Sequence, residues 1–349
     1  MRRSRSKDLM SFSSSSSSSS VSSSGGSTSG TETHSSAVEQ PAVQAGLPFE
    51  KVRNFRDIAT ACPGLLKPGR LYRTGFPSES TPSDLKLWSA IDISTLIDLR
   101  SPKELGMDTL MHSPVYAPYE TVDLNQESSG SWRQAVLSTE VETTAEDFTP
   151  TKQRFLLSLI DERKYVSGLV LQAEIIDKAW LVALIGASAV SRRARAHATE
   201  VLLERIKAGG LPLLNEMLLL QGGPQIARAL KLIADADRHP VALYCTAGKD
   251  RTGLVAALAL SAAGVDDAAI VADYAKSDAA YAQLEDKRAM VAALDQHDLD
   301  SEKFLRAPPE VMVATLAGLR ARHGGVDAYL DGIGFDAAWR ARLRAALTQ

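Results

Sequence analysis

Residues 241–254 read Val-Ala-Leu-Tyr-Cys-Thr-Ala-Gly-Lys-Asp-Arg-Thr-Gly-Leu. The first four are apolar and suit a buried strand. Small and polar residues follow, and from Thr252 an apolar run suits a helix to about Ala263, where Gly264 can cap it. In such a strand–loop–helix turn the loop N–H groups can converge on one point, and the helix N-terminus adds positive potential there. The result is a site for a phosphate dianion, with Gly248 letting the loop curl without a side chain in the way. A nucleotide-binding P-loop is the obvious competitor. It fails because Lys249 is followed by Asp250 in place of Ser or Thr, and Leu243 stands where the leading glycine belongs.

The loop instead offers Cys245 at its start and Arg251 six positions later. A thiol there feels the same backbone dipoles that bind phosphate, which favour its thiolate form. That thiolate can attack phosphorus while a planar guanidinium holds two oxygens at once. Thr252 can donate a hydrogen bond to the sulfur and help it leave. Cys245 and Arg251 are therefore the first site candidates, within a phosphate cradle of Thr246, Ala247, Gly248, Lys249, Arg251 and Thr252. Alone, Cys245 reads better as a buried cysteine ending a core strand; the whole string C-T-A-G-K-D-R-T-G is far more specific.

Outward from this segment, residues 70–73 (RLYR) and 93–99 (ISTLIDL) read as strands, with 83–90 between them at helical spacing through Leu85 and Trp88. Residues 113–117 are a weaker strand candidate. From about Thr144 to Lys207 the pattern is helical throughout, and Gly209-Gly210 ends it. A helix over 225–235 leads back into the strand at 241–244. Strands alternating with helices predict an α/β fold, a central mostly parallel sheet flanked by helices. The stretch from about 108 to 209 is expected as an inserted helical lid or bundle. Its apolar face at Trp180 and 181–185, near Arg192, Arg193 and Arg195, suits a lid, plain packing on the core, or approach to an anionic membrane.

Bulk properties bound the rest. Of 349 residues, 44% are hydrophobic and 23% charged, which is ordinary globular material, and the net charge of −3 gives no reason to expect nucleic-acid binding. Two cysteines, Cys62 and Cys245, make no disulfide framework and suit a cytoplasmic protein. No apolar run approaches the roughly 20 residues needed to cross a bilayer; residues 253–265 and 179–190 read as buried helices. Residues 1–45 stand apart: serine, glycine and threonine dominate 11–36, with an unbroken serine run at 13–20. This composition cannot offset its conformational entropy and should be disordered. Arg2, Arg3, Arg5 and Lys7 precede it, so the segment reads either as a flexible tail or as a plastid or mitochondrial transit peptide. The folded domain is expected over 46–349.

The loop resembles the signature HCxxGKDRTG of a tyrosine phosphatase family within the cysteine-dependent tyrosine and dual-specificity phosphatases. The likeness extends to Asn54-Phe55-Arg56-Asp57, to residues 67–75 (KPGRLYRTG) and to residues 97–101 (IDLRS). Asp273-Tyr274 with Ser277, Ala307-Pro308, and Gly324-Gly325-Val326 with Tyr329-Leu330 also fit, so it covers roughly 48–107 and 210–349. It implies hydrolysis of phosphate monoesters through a phosphocysteine intermediate, with no metal or organic cofactor. The substrates implied are phosphotyrosine proteins or phosphoinositides. An aspartate inside the loop is implicated as general acid in this family and in the myotubularin lipid phosphatases; Asp250 holds that position here. Asp98, ending a strand, is the reserve candidate or a brace for the loop. Lys249 beside Arg251 suits a substrate with more than one phosphate, or is merely structural. Arg56 and Asp57 are expected to be structural.

Two departures stand out. Tyr244 replaces the family histidine before the cysteine; it keeps a hydrogen-bonding group but loses a possible cation, so weaker activity at neutral pH is expected. This also supports an alternative, a catalytically weak module that binds phosphorylated partners. Ala59-Thr60 replace two glycines, which alters the local turn.

Overall fold

A computed structural model describes residues 49–110, 112–125, 152–159, 186–187, 191–282 and 305–349. The serine-rich segment, and the apolar face at 180–185, lie outside the described residues.

Strand β6 (Val241–Cys245) is buried along its whole length and lies inside a six-stranded sheet. Its neighbours are β2 (Leu71–Gly75) and β3 (Thr95–Asp98), both parallel to it. Beyond β3 come β5 (Gln153–Leu156) and β4 (Glu120–Asp123), also parallel; only β1 (Arg56–Asp57), on the β2 edge, runs antiparallel. The expected mostly parallel sheet is what forms. Alternation along β6 divides the core in two. Val241, Leu243 and Cys245 join the larger cluster, with Leu71, Ile97 and Phe155, while Ala242 and Tyr244 join Tyr72, Trp88, Leu96 and Tyr116 on the other face.

The helices follow from local signals. Helix α1 (Pro82–Ile91) starts at a Thr81/Asp84 capping box with proline in its first turn, and α2 (Pro102–Met107) repeats the device with Ser101 and Glu104. Helix α3 (Arg192–Gln221) is broken at Gly210, whose φ of 54° and ψ of −150° leave helical space, and Pro212 opens the continuation. Next come α4 (Gly223–Ala234), α5 (Asp250–Ala262), α6 (Asp267–Ala275), α7 (Ser277–Ala282), α8 (Pro309–His323), α9 (Val326–Gly332) and α10 (Ala337–Leu347). Helix α5 is almost wholly buried, which accounts for its even apolar run, and Gly264 past its end has φ 92°. Among the described residues, no helix is long and apolar enough to cross a membrane.

Two sequence expectations are corrected. Residues 113–117 are no strand: Pro114, lacking an N–H, opens a short 3-10 turn (Pro114–Tyr116), and the strand forms at β4 instead. The helical reading of 144–207 fails at β5, where Arg154 is buried, donates to Asp98 at 2.7 Å, and stacks its guanidinium on the Tyr116 ring. Two strands of the main sheet thus fall inside the 108–209 stretch.

Candidate active site

The loop after β6 lies at the C-terminal edge of the parallel strands, where α/β proteins place their ligands. Its shape is set from outside. Gly248 takes φ 64°, and a Cβ there would collide with the Thr74 carbonyl and the Gly75 nitrogen, so only glycine fits. The loop carbonyls are held one by one. Phe76 N donates to Thr246 O at 3.3 Å, and Asn54 Nδ2 donates to Gly248 O at 2.8 Å and to Ala247 O at 3.4 Å. Arg73 Nη2 donates to Gly248 O at 2.9 Å. In a planar trans peptide the next N–H points opposite its carbonyl. Pulling the carbonyls of 246–248 outward therefore turns the amides of Ala247, Gly248 and Lys249 the other way, toward the loop's interior. Helix α5 begins directly after, with no side-chain cap hydrogen bond at its N-terminus.

Behind these anchors lies a buried ion cluster. Asp273 accepts from Arg56 Nε at 2.7 Å and from Arg73 Nη1 at 2.6 Å, and Ser277 Oγ accepts from both guanidinium groups. Burial opposes the Asp273 charge, yet Arg73 and Arg56 draw its pKa down to about 2. Burial, with Arg73 nearby, lowers Arg56 to about 10. Asp57 binds the amides of Ala59 and Gly69 and shapes the turn that follows. Asn54, Arg56, Arg73, Asp273 and Ser277, far apart in sequence, thus assemble as one scaffold behind the loop.

Cys245 ends β6 at 2% exposure, directly before the loop, and both cysteines are free thiols. Arg251, in the first turn of α5, is gripped by Glu104: Nη1 donates to Oε2 and Nη2 to Oε1, each at 2.6 Å. Thr246 Oγ1 also donates to Glu104 at 2.6 Å. Burial opposes ionisation of Glu104, but Arg251, Thr246 and the Ser101 amide hold its pKa near about 2. Burial likewise opposes the Arg251 charge, but Glu104, with Cys245 and Asp250 nearby, raises its pKa further above the usual arginine range. The guanidinium is permanently charged, and its Nη1–Nη2 edge is occupied. Glu104 escaped the sequence reading. Its signal, Ser-x-x-Glu, announced only a capping box, and its arginine lies 147 positions away.

The other expected residues are placed less uniformly. Asp250 is partly buried, one carboxylate oxygen lying 3.5 Å from Lys249 Nζ and lacking a hydrogen-bond partner among the described residues. Lys249 is only 2% exposed and donates to Arg306 O at 2.8 Å, so its ammonium turns toward the chain near 306. The Thr252 hydroxyl is fully buried, again without a hydrogen-bond partner among the described residues. Asp98 is fully buried and accepts from Arg100 and Arg154, 2.9 and 2.7 Å from their Nη2 atoms. Tyr244 lies on that side as well, its hydroxyl buried and unpartnered among the described residues, with Arg100 over its ring.

The sequence that builds this site is similar to known proteins. Over 128 residues the chain is 36% identical to the triple specificity protein phosphatase PtpB of Mycobacterium tuberculosis, covering 31% of this chain and 44% of that protein. Over 133 residues it is 35% identical to a tyrosine-protein phosphatase of Nostoc commune, covering 36% of this chain and 45% of that one. Each match spans less than half the relative's length. A family model described as the tyrosine phosphatase family, however, matches residues 47–349, nearly all of the chain beyond the serine-rich segment. The chain belongs to the tyrosine phosphatase family.

Proposed function

We propose that the chain hydrolyses phosphotyrosine in proteins through a phosphocysteine intermediate, using its own residues and no metal or organic cofactor. The observation that carries this reading is the loop itself. Carbonyls 246–248 are drawn outward by Phe76, Asn54 and Arg73, a buried thiol sits beneath, and a charged guanidinium is fixed beside it by Glu104. In the first step the Cys245 sulfur bonds to phosphorus and the ester P–O bond breaks, with Asp250 giving its proton to the leaving oxygen. In the second, water attacks phosphorus, Asp250 takes its proton, and the P–S bond breaks to release phosphate and thiolate. The inward amides and the remaining Nε edge of Arg251 stabilise charge on the transferring group. The unpartnered Thr252 hydroxyl serves the departing sulfur. Asp98, enclosed by two arginines, braces the sheet instead of moving protons.

A second reading, a weak or inactive module that binds phosphorylated partners, draws on Tyr244. Its buried hydroxyl supplies neither the cation of the family histidine nor, among the described residues, a hydrogen bond. Turnover of para-nitrophenyl phosphate with vanadate inhibition separates the two. The phosphatase reading expects turnover, lost at least about a thousandfold in Cys245→Ser. It also expects Asp250→Asn to lose about a hundredfold or more on phenyl phosphate, whose poor leaving group needs the proton, and less on para-nitrophenyl phosphate. Vanadate binding without turnover at any pH selects the binding module.

A further inference from the structure

Around the loop nearly every cation is committed. Arg251 is held by Glu104, Lys249 by the Arg306 carbonyl, Arg56 and Arg73 by Asp273, and Arg100 by Asp98 and Asp108. Arg53 differs: it is partly buried, yet its guanidinium has no hydrogen bond, ion pair or ring partner among the described residues. Its main chain, by contrast, is pinned to the site. Arg53 O accepts from Gly75 N at 2.8 Å and from Thr74 Oγ1 at 3.2 Å, and the adjoining Asn54 grips the loop carbonyls. Gly75 is the register partner of Cys245, so this backbone is fixed at the strand ends that present the thiol. A built position on a Cβ of Gly75 would lie 3.3 Å from both Arg53 O and Thr246 O. A guanidinium without a partner among the described residues can pair with an anionic group that arrives with a ligand.

We propose that Arg53 is a specificity residue that recognises a carboxylate flanking the phosphotyrosine of a peptide substrate; this rests on the phosphatase reading above. A planar guanidinium pairs a carboxylate through two parallel hydrogen bonds. A multiply phosphorylated inositol head group would call for several available cations, and the second one expected in the loop, Lys249, is enclosed. One uncommitted arginine, whose main chain adjoins the Asn54 that grips the loop, suits one extra negative group.

The test uses two phosphotyrosine peptides identical except for Glu or Gln flanking the phosphotyrosine. The wild type should favour the Glu peptide in kcat/KM by about threefold to tenfold, with the preference shrinking in high salt. Arg53→Ala should bring the ratio close to one, and Arg53→Lys should retain part of it. Because the ratio compares two substrates on one preparation, incomplete folding of a variant cancels. Equal rates on both peptides in the wild type, or an undiminished ratio in Arg53→Ala, overturns the proposal. So does stronger Arg53-dependent competition by a soluble inositol polyphosphate than by the Glu peptide. Absence of para-nitrophenyl phosphate turnover in the wild type would instead remove the phosphatase reading, a failure distinct from loss of flank preference.

Discussion

Asp273 and Asp98 are near duplicates in composition: each is a buried carboxylate between two buried arginines. They lie on opposite faces of the sheet, by the alternation that separates Arg73 from Tyr72 and Asp98 from Ile97. Their connections differ. The Asp273 cluster reaches the loop, since Arg73 spans from that carboxylate to the Gly248 carbonyl. The Asp98 cluster ties β3 to β5 and, through Arg100, to Asp108; its contact toward the loop is the packing of Arg100 against the Tyr244 and Phe76 rings. The same chemical triad can thus shape a site or brace a sheet, and what decides is the atom at the arginine's far end.

The largest effect should come from neutralising each aspartate. Asp273→Asn and Asp98→Asn each leave two buried arginines short of a counter-charge and should cost about 3 to 5 kcal/mol in urea unfolding. Only Asp273→Asn should also lower kcat strongly in the fraction that remains folded. If Asp98→Asn loses a limb of the pH–rate profile instead, Asp98 is a proton donor and the contrast drawn here disappears.

Acid should sharpen the contrast next. The folded-state pKa of Asp273, about 2, lies below the ordinary carboxylate value near 4, so its contribution is complete above about pH 5. It is lost as pH falls through about 2, and amounts to roughly 2 kcal/mol. Glu104, also near about 2, weakens over the same range. Urea midpoints from pH 5 to pH 2 should fall more steeply for the wild type than for Asp273→Asn. Parallel slopes would mean the cluster is not what acid breaks.

The smallest effect tests the Asp98 face. Because the Tyr244 hydroxyl is buried without a partner among the described residues, Tyr244→Phe should leave stability unchanged or raise it by up to about 1 kcal/mol. A clear fall in melting temperature would show that the hydroxyl has a partner after all.

The loop strand, the helix behind it and the parallel sheet were legible because periodicity and the Cys-x5-Arg string lie within one short segment. So were the pieces of the scaffold, as separate motifs. Their assembly was not: Arg56 meets Asp273 across 217 positions, and Arg73 meets Gly248 across 175. Strand β5 stayed hidden because Gln153 and Arg154 are polar and break any apolar alternation, and what makes the buried Arg154 acceptable is Asp98 on the adjacent strand. The surroundings of Lys249 were out of reach for a similar reason. A lysine beside Arg251 reads either as a second phosphate-binding charge or as structural, and its hydrogen bond to the Arg306 carbonyl spans 57 positions.

The tight seating of Gly248 against Thr74 and Gly75 has a consequence for any attempt to transplant this motif. The curl is cast by a neighbouring strand, much as metal takes the form of its mould, and the nine-residue string alone carries no such template. A host protein given only that string would receive the reagents without the vessel; it would also need the end of β2 and the turn at 53–54.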